Sequence, residues 1–316
     1  MILTINDRLI GSSLGVTLAN KNNVESKIIY WGSNPNSIEE YRTSLYDSSE
    51  WQEKISTKWR VNPPDRSATE LLAMKVSDLA TNPSSDSRQY LGAQVQGLTI
   101  QKKKKTCVFY AQSEHEHSPN FIPDTQGRFQ NQYTAFAALQ EVAKEFDYDL
   151  VLKYHPHKVG NSSHGRNLSG GSLDWKSVKI DSFVQQIPPD SEIDIYTLLS
   201  EADINVIWSS TVGLECIARH KSVLVLGKPH WLDLNWGIHA WSVNDLRTAF
   251  QSEQTCLEPN KLFPWFWYLS DYGSKTRYSE TGETLLRISG EEIFVPRLLY
   301  RVTQLFRGLY KLYFKF

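Results

Sequence analysis

The stretch Ile204-Asn-Val-Ile-Trp-Ser-Ser-Thr-Val-Gly-Leu-Glu-Cys-Ile-Ala-Arg-His-Lys-Ser-Val-Leu-Val-Leu-Gly227 reads as a strand, a helix and a second strand. Ile204 to Trp208 is an apolar run of buried-strand length, interrupted by Ser209-Ser210-Thr211. Val212, Leu214, Cys216 and Ile217 then recur with helical spacing, and Val223 to Leu226 is again apolar and rich in β-branched residues. The hydroxyl residues at the first turn of the helix have two readings. They cap it by accepting from its free N–H groups, or they join those N–H groups and the positive end of the helix dipole in cradling an anion such as a phosphate.

A second motif, Leu150-Val-Leu-Lys-Tyr-His-Pro-His157, bears on that choice. An apolar strand ends in Lys153 and runs into His155-Pro156, where proline fixes the backbone and stops the strand. His155 is thereby held at the carboxyl end of the sheet, the edge at which open α/β sheets bind ligands. A histidine at one strand end is ordinarily polar surface. Two strand-end motifs in one sheet, one suited to a phosphate and one able to give it a hydrogen bond or a proton, make a candidate site.

Around these motifs the chain alternates strand and helix. Thr106 to Tyr110 is a strand whose exit is Ser113-Glu-His-Glu-His117. A helix from Gln132 to Phe146 aligns Phe136, Leu139, Ala143 and Phe146 on one face and leads to the His155 strand. A strand Ser177 to Ile180 and a helix Ile193 to Glu201 follow the polar loop 159–171. Five strands alternating with helices predict a doubly wound, mostly parallel sheet.

The 316 residues, 40% hydrophobic and 22% charged, suffice for two domains. A net charge of -1 gives no global attraction to nucleic acid. Cys107, Cys216 and Cys256 are far apart and form neither a zinc pattern nor a disulfide framework, which points to a reducing, cytoplasmic setting. No signal peptide and no span of membrane-crossing length is expected.

The first hundred residues also alternate. Ile2 to Ile5 and Lys27 to Trp31 read as strands, Ile10 to Ala19 as a helix, and Arg8, Ser12 and Ser13 as either a cleft or a capped helix start. Ser37 to Tyr46 is expected to be helical, with Ser37-Ile-Glu-Glu40 as a capping box. Helices are also expected over Ser49 to Arg60 and Thr69 to Ala80. Tyr41, Tyr46, Trp51 and Trp59 serve either as core or as a platform for an acceptor sugar. Residues 81–103, polar and ending in a lysine run, mark a boundary between a first domain, 1–103, and a second, 104–285.

The pair His155-Pro156 and Ser209-Ser210-Thr211-Val-Gly-Leu-Glu215 resembles the donor-binding half of bacterial capsule-polysaccharide glycosyltransferases, similar to Kdo transferases and sialyltransferases with "HP" and "SS/T" motifs. The resemblance covers roughly residues 104–240. It implies an α/β, GT-B-like fold with two Rossmann-like domains and parallel sheets, the first domain short. It also implies an inverting, metal-independent transfer from a nucleotide-activated sugar, CMP- or CDP-linked, to a surface polysaccharide or lipid-linked glycan, without a further cofactor. His155, Ser209, Ser210 and Thr211 would hold the donor phosphate with Lys153 nearby, and Glu215 would bind sugar or ribose hydroxyls. Glu116, with Glu114 beside it, would take the acceptor's proton. A polyol phosphotransferase of teichoic-acid type and a non-catalytic relative that binds nucleotide or membrane remain as alternatives.

Asp147-Tyr148-Asp149 matches a metal-binding DxD but falls between a helix and a strand at the opposite sheet edge, so it reads as a loop. Lys228-Pro-His-Trp231 is placed beside the nucleotide base, and Leu262 to Tyr268 is an aromatic cluster. Residues 286–316 are assigned to a basic C-terminal helix; within Pro296 to Phe316 one face is apolar and no residue is acidic. That helix either lies in an anionic membrane surface, making the protein peripheral on the inner face, or packs across the first domain.

Overall fold

The computed structural model describes residues 2–5, 22, 26–31, 37–41, 48–81, 97, 99–100, 102–112, 129–155, 175, 178–229, 231–252, 256–270, 274–275, 277–278, 284–288 and 291–295. The chain opens with β1 (Ile2–Ile5), β2 (Ser26–Trp31) and β3 (Ser37–Tyr41), followed by α1 (Ser48–Val61) and α2 (Arg66–Thr81). The segment from Ser37 to Tyr41 is therefore a strand and not the helix expected of it. It pairs antiparallel with β2, Ile28 opposite Tyr41 and Trp31 opposite Ile38, and sheet pairing overrides the local capping pattern. Pro63-Pro64 does separate two helices, and the Asp65 carboxylate starts the second by accepting from the Ala68 N–H at 2.7 Å.

The middle of the chain supplies β4 (Thr106–Tyr110), α3 (Gln132–Glu145), β5 (Asp149–Lys153), β6 (Gln185–Ile187), α4 (Ile195–Glu201), β7 (Ile204–Ile207), α5 (Val212–Ala218) and β8 (Val223–Val225). The five strands form one sheet in the order β6-β5-β4-β7-β8, and every pairing is parallel. From the central β4 the chain winds outward to β5 and β6, then crosses back to β7 and β8. The switch point of this doubly wound sheet lies between β4 and β7. The strand expected at Ser177 to Ile180 is realised later, at Gln185–Ile187, where Ile187 can be buried beside Lys153.

Both faces of the sheet are covered, so β4, β5 and β7 read as continuous apolar runs rather than alternating ones. Val108, Tyr110, Val151, Ile207 and Val225 face Leu198, Leu214, Ile217 and, farther out, Trp51 and Val76 of α1 and α2. Phe109, Leu150, Leu152, Val206 and Leu224 face Phe136, Leu139 and Val142 of α3, with Leu246 and Phe250 of α6 (Val243–Gln251). Each large side chain so enclosed contributes about 1.5–3 kcal/mol. Asn205 is the polar exception in β7. It is fully buried and satisfied, accepting from the Tyr110 hydroxyl at 2.9 Å and donating to Leu199 O at 3.2 Å and Ser222 O at 3.1 Å.

The aromatic run after Leu262 becomes α7 (Phe263–Ser270), which packs on α1. Trp51 meets Trp265 tilted and Tyr268 edge-on, and Lys58 lies 5.1 Å from the Trp267 ring centroid. Trp51 is therefore core and not an acceptor platform, while Trp59 is half-exposed. Short strands follow: β9 (Ser274–Lys275), β10 (Arg277–Tyr278), β11 (Thr284–Ile288) and β12 (Glu291–Val295). β9 joins the first sheet beside β3, antiparallel, so that among its described pairings β1 with β2 is parallel and the other two are antiparallel. β11 and β12 pair antiparallel with Ile288 opposite Glu291, so residues 286–288 and 291–295 are strand rather than the start of a helix. Residues 296–316 lie outside the described ones, as do Arg8, Ser12, Ser13 and Tyr46.

Candidate functional site

The register of the parallel sheet brings the motif residues to one edge. Tyr110 is level with Lys153 on one side and with Ile207 on the other. Two residues further on, Gln112, His155 and Ser209 stand side by side beyond the carboxyl ends of β4, β5 and β7. The strand exits remain tied to one another: Ala111 N–H donates to Lys153 O, Tyr154 N–H to Ile187 O and Gly227 N–H to Trp208 O.

Ser209 and Gln112 meet across the switch point, the serine hydroxyl donating to Gln112 Oε1. Gln112 is held in turn by Gln132, the first residue of α3, which is 2% exposed. The Gln112 N–H donates to Gln132 Oε1 at 3.0 Å, and Gln132 Nε2 donates to Gln112 O at 3.1 Å. The sequence singles out neither glutamine, because a neutral amide matches no catalytic motif. The available signal is positional, a glutamine just past an apolar strand and another opening the next helix.

The hydroxyl run is not a conventional cap. Thr211 occupies the cap position of α5 without a side-chain hydrogen bond and is exposed, while Ser210 Oγ accepts from the Val212 N–H at 3.3 Å. His155 is half-exposed at the end of β5. Lys153 is 4% exposed on the α4 and α5 side of the sheet, and its ammonium donates to Pro188 O at 3.2 Å and Tyr154 O at 3.4 Å. Burial lowers its pKa to about 8, against the pull of Asp190. Glu215 is buried one turn into α5, with Oε2 3.8 Å from Arg219 Nη1, and the Arg219 guanidinium lies over the Tyr196 ring at 4.5 Å. Glu114 and Glu116 lie outside the described residues.

Trp231 is core. It is 1% exposed beneath Gly213 and does not border a ligand at the sheet edge. His239 instead brings an aromatic pair there. It bridges to Val225 in parallel and stacks on Trp241, with ring centroids 4.2 Å apart. The Cys107 and Cys216 thiols are pushed up by burial, so they serve as small apolar groups.

At the opposite, amino edge, a cleft of about 690 Å³ is lined by Lys104, Lys144, Asp147, Lys179 and Asp181 among others. Within it Lys104 pairs with Asp147, and Lys102, just outside the cleft, pairs with Asp203. Lys102 and Lys104 are thus tied to neighbouring segments, Asp147 sits in the turn after α3, and Asp149 opens β5. The carboxyl edge is the better-founded site, because the Ser209 hydroxyl meets the Gln112 amide there and the register brings His155 to the same edge.

A doubly wound parallel sheet with a polar cluster at its switch point defines an α/β ligand-binding unit. The chain belongs to the capsule polysaccharide biosynthesis protein family, whose sequence profile matches residues 84–249, just over half of it. That agrees with the resemblance carried by His155-Pro156 and Ser209-Ser210-Thr211. Among curated protein sequences none matches.

Among solved structures the chain is similar to KpsC, beta Kdo 2,4 transferase, of Thermosulfurimonas dismutans, at 13% identity, covering 92% of this chain and 83% of that one with a TM-score of 0.49. KpsC, beta Kdo 2,7 transferase, of the same organism is 18% identical over 96% and 84%, with a TM-score of 0.46. The UDP-GlcNAc 2-epimerase of Methanocaldococcus jannaschii is 10% identical over 86% and 75%, with a TM-score of 0.35. Likeness at this level identifies no substrate.

Proposed function

We propose that the protein is a glycosyltransferase that moves a sugar from a CMP- or CDP-linked donor to a surface polysaccharide or lipid-linked glycan. The observation that carries this reading is that Gln112 and Ser209 meet at the switch point of a capsule-family α/β sheet, with His155 at the exit of the neighbouring strand β5. Polyanionic nucleotides bind at that edge of such sheets.

In this reading Ser209, Ser210 and Thr211 offer hydroxyls to the donor phosphate, and His155 gives it a hydrogen bond or proton as charge develops on the leaving group. Lys153, behind them, ties the His155 strand to the β6 exit through Pro188 O. Glu215 serves ribose or sugar hydroxyls from the first turns of α5. Glu116, with Glu114 beside it, accepts the proton of the attacking acceptor hydroxyl. The bond from the anomeric carbon to phosphate breaks as the acceptor oxygen attacks from the opposite side, inverting the centre. The two-domain GT-B arrangement, divided near residue 103, belongs to the same proposal, the first domain receiving the acceptor.

Thermal stabilisation by CMP, CDP, UDP, GDP and ADP tests it. A ligand held at about a hundred times its dissociation constant stabilises by about 2.7 kcal/mol, enough for a clear shift in melting. Selective stabilisation by a cytidine nucleotide, lost in His155→Ala and Ser210→Ala, is expected. No shift with any nucleotide would sink the reading.

A further inference from the structure

We propose that the side-chain amide of Gln112 is a donor-binding group, held by Gln132 and Ser209 so that its Nε2 meets a phosphate oxygen of the nucleotide. The inference rests on the donor-site reading above and adds to it a residue that no motif marks.

Gln112 is fixed at its main chain and at its amide carbonyl, and among the described residues its amide nitrogen is left open. Gln132 takes both main-chain groups, at 3.0 and 3.1 Å. A buried amide is tolerated only when both its ends are partnered, and Gln132, 2% exposed, uses both ends on this one residue. Helix capping does not require it, because Asn131 already accepts from the Tyr133 and Thr134 N–H groups at 3.0 and 2.9 Å. The clamp therefore places the exit of the central strand, two residues before Glu114 in the sequence.

The Ser209 hydroxyl then donates to Gln112 Oε1. With the carbonyl end occupied, the planar amide turns its NH2 away from the serine. No described residue accepts from that nitrogen, and Gln112 is half-exposed. The result is a pair of N–H donors at the exit of β4, on a residue level with His155 and Ser209 in the register.

A donor-only group in such a place suits an oxygen with several lone pairs. Among the parts of a nucleotide sugar, the phosphate offers the most such oxygens, and a hydrogen bond to a charged acceptor is stronger than one to a neutral hydroxyl. Being neutral, the amide strengthens its bond as charge gathers on the leaving phosphate without adding a fixed cation to the site.

Calorimetric titration of CDP and CMP into the full chain tests this, with Gln112→Ala, Gln112→Glu, Gln132→Met and the Gln112→Ala/Gln132→Met double variant. Gln112→Ala is expected to bind about tenfold or more weakly, the usual consequence of losing a hydrogen bond to a charged group. Gln112→Glu should bind more weakly still, since its carboxylate lacks the N–H and repels phosphate. Gln132→Met should weaken binding by a smaller factor, and that factor should vanish in the Gln112→Ala background, which a purely structural role would not produce. Should Gln132→Met fail to fold, the two Gln112 variants decide. Unchanged affinity in both of them, with the parent chain binding, overturns the role of Gln112 and leaves the donor-site reading intact. Absence of binding by the parent chain overturns both.

Discussion

Gly213 stands in the first turn of α5, where glycine is about 1 kcal/mol less favourable than alanine. A Cβ there would lie 2.5 Å from Trp231 Cζ2 and 2.6 Å from Ile207 Cδ1. Both neighbours are buried, and the Trp231 ring has no free space to turn into, so overpacking of about 1–3 kcal/mol outweighs the gain in propensity. Gly213→Ala is thus expected to lower the midpoint of denaturant unfolding; a higher midpoint would mean that the helix start can shift to make room. Lys153 is a second residue whose setting has a measurable consequence. Its folded-state pKa, about 8, lies below the ordinary value near ~10.4, so between these values the unfolded chain binds more protons. Stability should therefore rise with pH across that window, by at most ~3 kcal/mol, after being flat below it. Lys153→Met should abolish that rise, and an unchanged slope would place its source elsewhere. At this scale the sequence exposes the site only in part. His155 and Ser209 are legible because proline and hydroxyl runs punctuate apolar strands, whereas Gln112 and Gln132 act through amide hydrogen bonds that leave no spacing pattern. Glu215 and Arg219 are legible as neighbours four apart at α5, but that Glu215 is buried and the Arg219 side chain nearly so becomes evident only in the fold.

The same short pattern can specify different elements. Ser242 and Asp245 form a capping box at the start of α6, each side chain bonding to the other's backbone. Ser37-Ile-Glu-Glu40 has the same signature, yet its backbone is taken by β2. Long-range pairing decides between them, and it is invisible in a window of four residues. Apolar runs such as Thr106 to Tyr110 and Ile204 to Ile207 are read correctly because a strand buried on both faces leaves little alternative. The partners of α1 were not legible, since they come from residues more than two hundred positions away: Lys58 Nζ donates to Trp267 O at 3.0 Å and Trp267 Nε1 to Asn62 O at 2.7 Å. Trp51 and Trp265, with ring centroids 5.6 Å apart, form the centre of this contact. Trp51→Ala and Trp265→Ala are each expected to cost about 3–5 kcal/mol. The double variant should cost less than their sum, because the second truncation removes a contact already lost. Strict additivity in urea unfolding would show that the two rings are energetically independent.

For the whole chain, 34 basic residues against 35 acidic ones leave no net field to draw it to an anionic surface. No helix among the described residues is long and apolar enough to cross a membrane. Any attraction to acidic lipid must then be local, and Pro296 to Phe316, with Arg297, Arg301, Arg307, Lys311 and Lys315 and no acidic residue, is the stretch able to supply it. Each cation near a negatively charged leaflet contributes about 1 kcal/mol, and the apolar residues between them add to that where they enter the interface. A lipid-linked glycan acceptor would give such docking a purpose, since the enzyme must meet a substrate confined to a surface. The protein is therefore expected to sediment with phosphatidylglycerol-rich vesicles at low ionic strength and far less with neutral phosphatidylcholine. Salt near ~0.5 M should release most of it, because screening then acts within a few ångströms. A chain ending at residue 295 should stay in the supernatant while keeping its response to nucleotide. If the shortened chain sediments as well as the parent, or the parent fails to sediment at low salt, the terminal stretch is not a membrane anchor, and packing against the first domain becomes the better account of its apolar face.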